Sequence, residues 1–282
     1  MYAQDSLPSS STPPSAQGAV GYFPVRRLQR LEMPRGASVL QAPRHQATRC
    51  AQVSEAHAIV VGLAERQMLA TLAHQACATE SLLTAVEACV EGLGLLAGQA
   101  TSTTFSLQPG ALAFDADVLG VLAAMARDSG VSLMWDSQTV DTADAALHCV
   151  RQLVRLGGEL GVTLPGRWMR SRADADLAAD LGLKVRVVKG RWADPLRPQF
   201  DERAGFLAVI GKLAGRARAV SVATHDAPLA RMALRRLVEA GTPCELEVTH
   251  GVPHQAAVQA ARALGVPVRV YVSFGSGGTI HG

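Results

Sequence analysis

Two basic side chains interrupt an apolar, β-branched run and are the first candidates for chemistry. The run at 185–194 reads VRVVKGRWAD, with Arg186 inside it and Lys189 at its end, directly before Gly190. A buried charge is costly unless it is paired or used in chemistry. In α/β proteins, ligands bind at the carboxyl ends of the strands. The pattern predicts a functional site, and the alternative is an edge strand with two solvated bases.

Polar side chains also end the other predicted strands. Their hydroxyl, amide, imidazole and carboxylate groups can bind ligands or transfer protons, and barrel enzymes carry such groups at strand ends. They are Gln108, Asp136, Thr224, His225, Asp226, Glu247 and His250.

Asp136 and Asp226 each have an alternative structural role. Asp136 could pair with an amine or an arginine, or cap the helix predicted from position 142. Thr224 and His225 could bind phosphate or ribose, whereas Asp226 stands where a helix N-cap is expected before Pro228.

Lys189 and His250 also remain open to two interpretations. Lys189 could bind an anion or form a Schiff base, and its local sequence does not separate the two. His250, before Gly251, could be a site residue, but the ordinary loop histidine is the favoured interpretation.

The elements that must position these residues alternate regularly along the chain. Short β-like runs occur at 104–108, 132–136, 162–165, 184–189, 219–224, 244–249 and 268–273. Amphipathic helical stretches separate them at 117–128, 142–160, 173–181, 202–213, 228–240 and 255–264. Two further helices are predicted at 56–75 and 79–96, and an eighth strand at 37–41. This alternation indicates a parallel sheet and favours a (βα)8 barrel of the TIM type.

Composition limits the remaining possibilities. The chain has 282 residues, 48% of them hydrophobic, and a formal charge of +3 with scattered arginines, so nucleic-acid binding is not indicated. Five cysteines without a CxxC pair suggest reduced thiols, and no metal site is expected. The sequence contains no HExxH, GxSxG or strand-following GxGxxG motif.

The expected organisation is a disordered polar tail at 1–35 and a barrel with N-terminal helices at 36–282. The sequence has no secretory signal and no apolar run long enough for a transmembrane segment. A cytoplasmic location is expected, and peripheral contact with the inner membrane stays open.

The ordered strand ends resemble the proline dehydrogenase family, whose flavoenzymes are built on a distorted (βα)8 barrel. The motifs that carry the resemblance are SLQPGALAFD, LMWDSQ, VRVVKGRWADP, ATHD, CELEVTHGV and VRVYVSFG, in this order along the chain.

The resemblance implies a role for ten residues. Asp136 matches the active-site aspartate, and Arg186 matches the arginine beside the flavin N5 atom. The implied flavin contacts are Ser137, Pro165, Lys189, Gly190, Arg191, Thr224 and His225. Gln108 and Asp136 would line the substrate pocket.

The implied activity is FAD-dependent oxidation of L-proline to 1-pyrroline-5-carboxylate, with a quinone as the electron acceptor. A similar cyclic amine is the alternative substrate. Three positions depart from the family: Gln108 replaces a lysine, Pro165 a glutamine, and Gln138 an acidic residue. The family's last helix, with its tyrosine and arginine pair, has no counterpart before Gly282, so we expect impaired substrate binding.

Two alternative functions stay open. One is a non-catalytic or truncated barrel that acts as a flavin-binding or interaction module. The other is a barrel lyase that uses Lys189 as a Schiff base.

Overall fold

The structure is a computed structural model that describes residues 49–99, 103–136 and 139–275. The predicted tail at 1–35, the predicted strand at 37–41 and the candidate residue Ser137 lie outside these ranges.

Eight parallel strands close into a barrel in sequential order, and helices alternate with them. The strands are β1 Leu69–His74, β2 Thr103–Leu107, β3 Ser132–Trp135, β4 Leu160–Pro165, β5 Lys184–Val188, β6 Ala219–Ala223, β7 Cys244–Thr249 and β8 Val268–Phe274. The helices are α1 Val53–Glu65, α2 Leu82–Leu96, α3 Ala116–Asp128, α4 Ala143–Leu153, α5 Ser171–Asp180, α6 Glu202–Leu213, α7 Ala227–Glu239 and α8 Gln255–Arg262. The (βα)8 prediction is confirmed.

The helix predicted at 56–75 is wrong in its second half. Helix α1 ends at Glu65, and a short turn with Gln67 at φ 56° leads into strand β1. The residues of β1, LATLAH, have a composition typical of helices. Five of these six residues are buried, so β1 shows no alternation of apolar and polar residues, and barrel closure overrides local propensity.

Strand β5 shows how the barrel positions charge. Val185 and Val187 point to the surrounding helices and join the apolar core, while Lys184 and Arg186 point into the barrel. Closure removes the edge-strand alternative, since β5 pairs with β4 on one side and β6 on the other.

The helix predicted at 142–160 is shorter in the structure. Helix α4 ends at Leu153 and one 3-10 turn, Val154–Leu156, follows it. Gly157 and Gly158 then adopt positive φ, which ends the helix and allows β4 to begin at Leu160. The described part of the chain ends at Gly275, directly after β8.

Within the described ranges, no helix combines the length and the apolar character needed to cross a membrane.

Candidate active site

Arg186 lies in the mouth of the barrel, beneath the carboxyl ends of the strands. Its guanidinium Nη1 is 2.9 Å from Oδ1 of Asp136, which directly follows β3. The same nitrogen donates to the hydroxyl of Ser106 at 3.0 Å. The side chain is 3% exposed, so the strand-interior arginine is buried and paired.

Asp136 accepts hydrogen bonds on both carboxylate oxygens. Thr163 and Arg186 donate to Oδ1, while Ser106 and Tyr271 donate to Oδ2. Four donors match the four lone-pair positions of a carboxylate. Asp136 therefore acts as an anchor between strands, and it does not cap the helix after it.

Glu247 on β7 forms a second ion pair with Arg186, at the Nε atom of the guanidinium. Its Oε1 is 2.8 Å from Nε of Arg186, and both side chains are 3% exposed. Burial raises the pKa of Glu247, although Arg186 opposes that shift. Nε and Nη2 of Arg186 and Oε2 of Glu247 are buried without a hydrogen-bond partner among the described residues, so the contact between Nε and Glu247 is an ion pair.

A chain of hydrogen bonds crosses the mouth from β2 to β3. Gln108 donates to the amide oxygen of Gln75 at 2.8 Å, and the Gln75 amide nitrogen donates to the Tyr271 hydroxyl at 2.7 Å. The Tyr271 hydroxyl donates in turn to Oδ2 of Asp136 at 3.2 Å. The centroid of the Tyr271 ring lies 5.1 Å from Cζ of Arg186. This chain fixes the direction in which each amide and hydroxyl donates.

A cavity of about 240 Å³ opens beside this series of hydrogen bonds, next to Gln108 and Asp136. Gln108, Asp136, Thr139 and Thr142 provide polar groups to it. Its other walls are Pro109, Gly110, Ala111, Phe114 and Ala146. The volume suits a small molecule with an apolar body and a few polar atoms.

Basic side chains surround the ends of β4 and β5. Nζ of Lys189 is 3.9 Å from Oε1 of Glu202, and Arg167 contacts the other oxygen of that carboxylate. Arg191 is exposed and stacks on Trp192, with Cζ 4.7 Å from the ring centroid. We call Arg167, Lys189 and Arg191 the cationic rim.

Pro165 and Gly190 lie against each other beneath the cationic rim. Gly190 has φ 100°, and a Cβ atom there would come within 2.8 Å of Cβ of Pro165. A side chain at position 190 would therefore strain the backbone and collide with β4.

The Thr224–Asp226 segment is ordered by its own hydrogen bonds. The Thr224 hydroxyl accepts from the backbone of Asp226, and Asp226 caps α7 by accepting from the backbone of Leu229. Nε2 of His225 accepts from the backbone of Thr249 at 2.9 Å. Burial, with weaker effects of His254 and Lys189, lowers the pKa of His225 to about 4.

A second charged cluster fills the floor of the barrel. Glu245 pairs with Arg269 and with Lys184, both at 2.7 Å, and these two cations outweigh burial and lower its pKa to about 2. Arg269 also donates to the carbonyl of Ala70 at 2.6 Å. The barrel interior thus carries charge in two layers.

The structure brings Gln108, Asp136 and Arg186 into one network, and it places Lys189 and Arg191 on the rim above it. Sequence reasoning named Glu247 as a strand-end candidate without a specific role, and it missed four members of this network: Gln75, Ser106, Thr163 and Tyr271. These residues could have been recognised as polar side chains that point into the barrel. Which side chains point inward is known only once the register of each strand is known.

Comparison with protein-family models and with curated proteins finds no match. The fold is similar to part of proline utilization A (PutA) from Bdellovibrio bacteriovorus inactivated by N-propargylglycine, with a TM-score of 0.65 and 14% identity. That match covers 82% of this chain and 30% of the PutA chain. A Bradyrhizobium japonicum PutA mutant gives a TM-score of 0.62 at 19% identity, covering 74% of this chain and 26% of that one. The chain thus spans less than a third of the length of these proteins, and at such identities the similarity shows the fold alone.

Proposed function

We propose that this chain is a flavin-dependent dehydrogenase related to proline dehydrogenase, and that it oxidises L-proline or a similar small cyclic amine. The observation that carries the proposal is Arg186, an inward residue in the middle of β5, paired with Asp136 and with Nη2 left unpartnered. The family resemblance, which implies a flavin N5 atom beside this arginine, supports the proposal. The fold similarity to PutA supports the same assignment.

The residues present fit FAD at two points. The buried Nη2 of Arg186 is a free hydrogen-bond donor, and the cationic rim offers charge for a diphosphate. FAD would supply the hydride acceptor. We propose that Lys189, Gly190 and Arg191 bind the phosphate and ribityl part, with Ser137, Pro165, Thr224 and His225 along the rest of the cofactor.

For the substrate, we propose the cavity beside Gln108 and Asp136. The apolar wall around Phe114 would accommodate a saturated ring, and the oxygen of the Gln108 amide is available to accept from an amine. A quinone is the proposed electron acceptor.

One observation favours the alternative of a non-catalytic barrel module. Arg186 is nearly inaccessible, and two carboxylates share its charge. A module of this kind would bind flavin weakly or not at all.

The visible absorption spectrum of the purified chain tests the proposal. We expect yellow protein, or uptake of added FAD, and bleaching of the flavin by L-proline without oxygen. Protein that remains colourless with added FAD would contradict the flavoenzyme assignment. A flavin that proline fails to reduce would restrict the chain to another amine or to the binding module.

A matched pair of lysine variants tests the cofactor site. We expect Lys189→Ala to weaken FAD binding. Lys212→Ala removes a lysine on α6 that pairs with Asp176 and should leave FAD binding unchanged. Equal affinities in the two variants would exclude the cationic rim as the phosphate site.

A further inference from the structure

Glu247 and Glu245 lie on the same face of β7, yet their environments are opposite. Glu245 has two cationic partners and a hydrogen bond from Ser221. Glu247 has one close partner, Arg186, and an oxygen without a hydrogen bond. A buried carboxylate with an unmet oxygen contributes little to stability, so its presence needs another explanation.

Strand β6 lies between Arg186 on β5 and Glu247 on β7, and its side chains leave room for the two residues to make contact. Register pairs Arg186 with Ser221, and Ala223 with Glu247. Because the inward side chains of β6 at these levels are small, the guanidinium and the carboxylate reach each other across it. Their 2.8 Å contact therefore spans two strand spacings.

The partners of Arg186 are distributed unequally over the three nitrogens of its guanidinium. Nε faces Glu247, and Nη1 is shared by Asp136, Ser106 and Thr163. Only Nη2 has neither an ion-pair partner nor a hydrogen bond among the described residues. The contact of Glu247 with Nε adds a second point of attachment, so Glu247 and the partners of Nη1 together restrict the position of the guanidinium.

We propose that Glu247 is a positioning residue, which fixes the Nε edge of Arg186 so that Nη2 stays free for a bound cofactor. Glu247 touches neither cofactor nor substrate in this role. The inference rests on the proposed function for the identity of the ligand, whereas the orientation of Arg186 can be tested without any ligand.

The first test uses crystal structures of the unliganded protein. We expect Arg186 to keep its position in Glu247→Gln, because an amide of nearly the same size and shape still presents an oxygen to Nε. It should move or adopt several conformers in Glu247→Ala. Glu245→Gln, the matched control one layer below, should leave Arg186 unchanged. An unmoved Arg186 in Glu247→Ala would overturn the proposal. If Glu247→Ala does not fold, Glu247→Asp replaces it in this test. The aspartate side chain is one methylene shorter, so Arg186 should shift in this variant too.

The second test uses FAD. If Arg186 is correctly placed in about a tenth of the molecules, the Kd of Glu247→Ala for FAD rises about tenfold. Glu247→Gln should bind FAD nearly as the parent does. It should also raise the flavin midpoint potential, because it removes a negative charge beside Arg186. Glu245→Gln should shift that potential less.

An FAD affinity of Glu247→Ala equal to that of the parent would show that Glu247 does not position Arg186 for the cofactor, and would overturn the proposal. Failure of every variant and of the parent to bind FAD would contradict the proposed function instead. In that case the position of Arg186 in the unliganded structures still decides the role of Glu247.

Discussion

The hydroxyl of Tyr271 donates to Asp136 across the barrel mouth, at 3.2 Å, although 135 residues separate the two in the chain. Gln75 donates to the same hydroxyl, so the phenol proton is committed to the carboxylate. Burial and the charge of Asp136 raise the pKa of Tyr271 well above its usual value, although Arg186 opposes them. Tyr271 is therefore a permanent hydrogen-bond donor to Asp136.

Tyr271→Phe tests this relationship. The variant keeps the ring over Arg186 but leaves the Gln75 amide without its acceptor, so we expect a loss of about 1–3 kcal/mol in the free energy of unfolding. Urea unfolding followed by circular dichroism measures the loss. Tyr271→Leu, which also removes the ring, should lose more. Equal stability of Tyr271→Phe and the parent would show that the hydrogen-bond chain carries no net stabilisation.

Arg186 should be required for folding stability as well as for chemistry. Arg186→Met leaves Asp136 and Glu247 buried without their shared cation, and we expect a loss of about 3–5 kcal/mol. The triple variant Arg186→Met/Asp136→Asn/Glu247→Gln removes all three charges and should recover part of this loss. Thermal and urea unfolding of both proteins provide the comparison. A single variant as stable as the parent would mean that the two carboxylates are satisfied in another way.

The fold was largely predictable because seven strands begin after turns and alternate with amphipathic helices. Strand β1 was not, because Leu69–His74 is rich in leucine and alanine and follows α1 after only a short turn. The side chains of β1 are buried on both faces, so neither helical nor strand periodicity marks it. Only the requirement that the barrel close identifies these residues as a strand.

Individual residues of the candidate site could be predicted from the sequence, but the contacts that join them into a network could not. Arg186 and Asp136 were found because polar residues at strand ends stand out from apolar runs. Their pairing depends on closure, which brings β3, β5, β7 and β8 together around one axis. Sequence alone could not show that Glu247 reaches Arg186, because that contact depends on the small inward side chains of β6.

His225 predicts a pH dependence of stability. Its pKa is lowered from 6.5 to about 4, so the unfolded chain binds a proton in this range that the folded chain does not. The stabilisation is complete above pH 6.5 and is lost as the pH falls toward 4. With allowance for partial exposure, we expect about 2 kcal/mol.

Urea unfolding at several pH values between these limits measures the effect. His225→Gln should flatten the profile, because its amide oxygen can still accept from Thr249 but does not titrate. His148→Asn, at an exposed position on α4, is the control and should leave the profile unchanged. Since burial also lowers the pKa of His74, a residual slope of the same sign is expected in His225→Gln. A profile identical to that of the parent would assign the slope to other groups.

The close approach of α6 to the end of β4 should make Gly205 sensitive to the smallest substitution. A Cβ atom at Gly205 would lie 2.0 Å from the carbonyl oxygen of Gly166 and 2.5 Å from the ring of Phe200. Gly205→Ala must therefore push α6 outward, and we expect a loss of at least about 1–3 kcal/mol.

The same displacement would move Glu202 at the start of α6, which contacts Arg167 and Lys189, so FAD binding should weaken as well. Gly62→Ala in α1, where no atom lies within 4 Å of the added Cβ, should instead gain about 0.5–1 kcal/mol. Thermal unfolding separates the two variants by the sign of the change. If Gly205→Ala were as stable as Gly62→Ala, the contact between α6 and Gly166 would be looser than the structure shows.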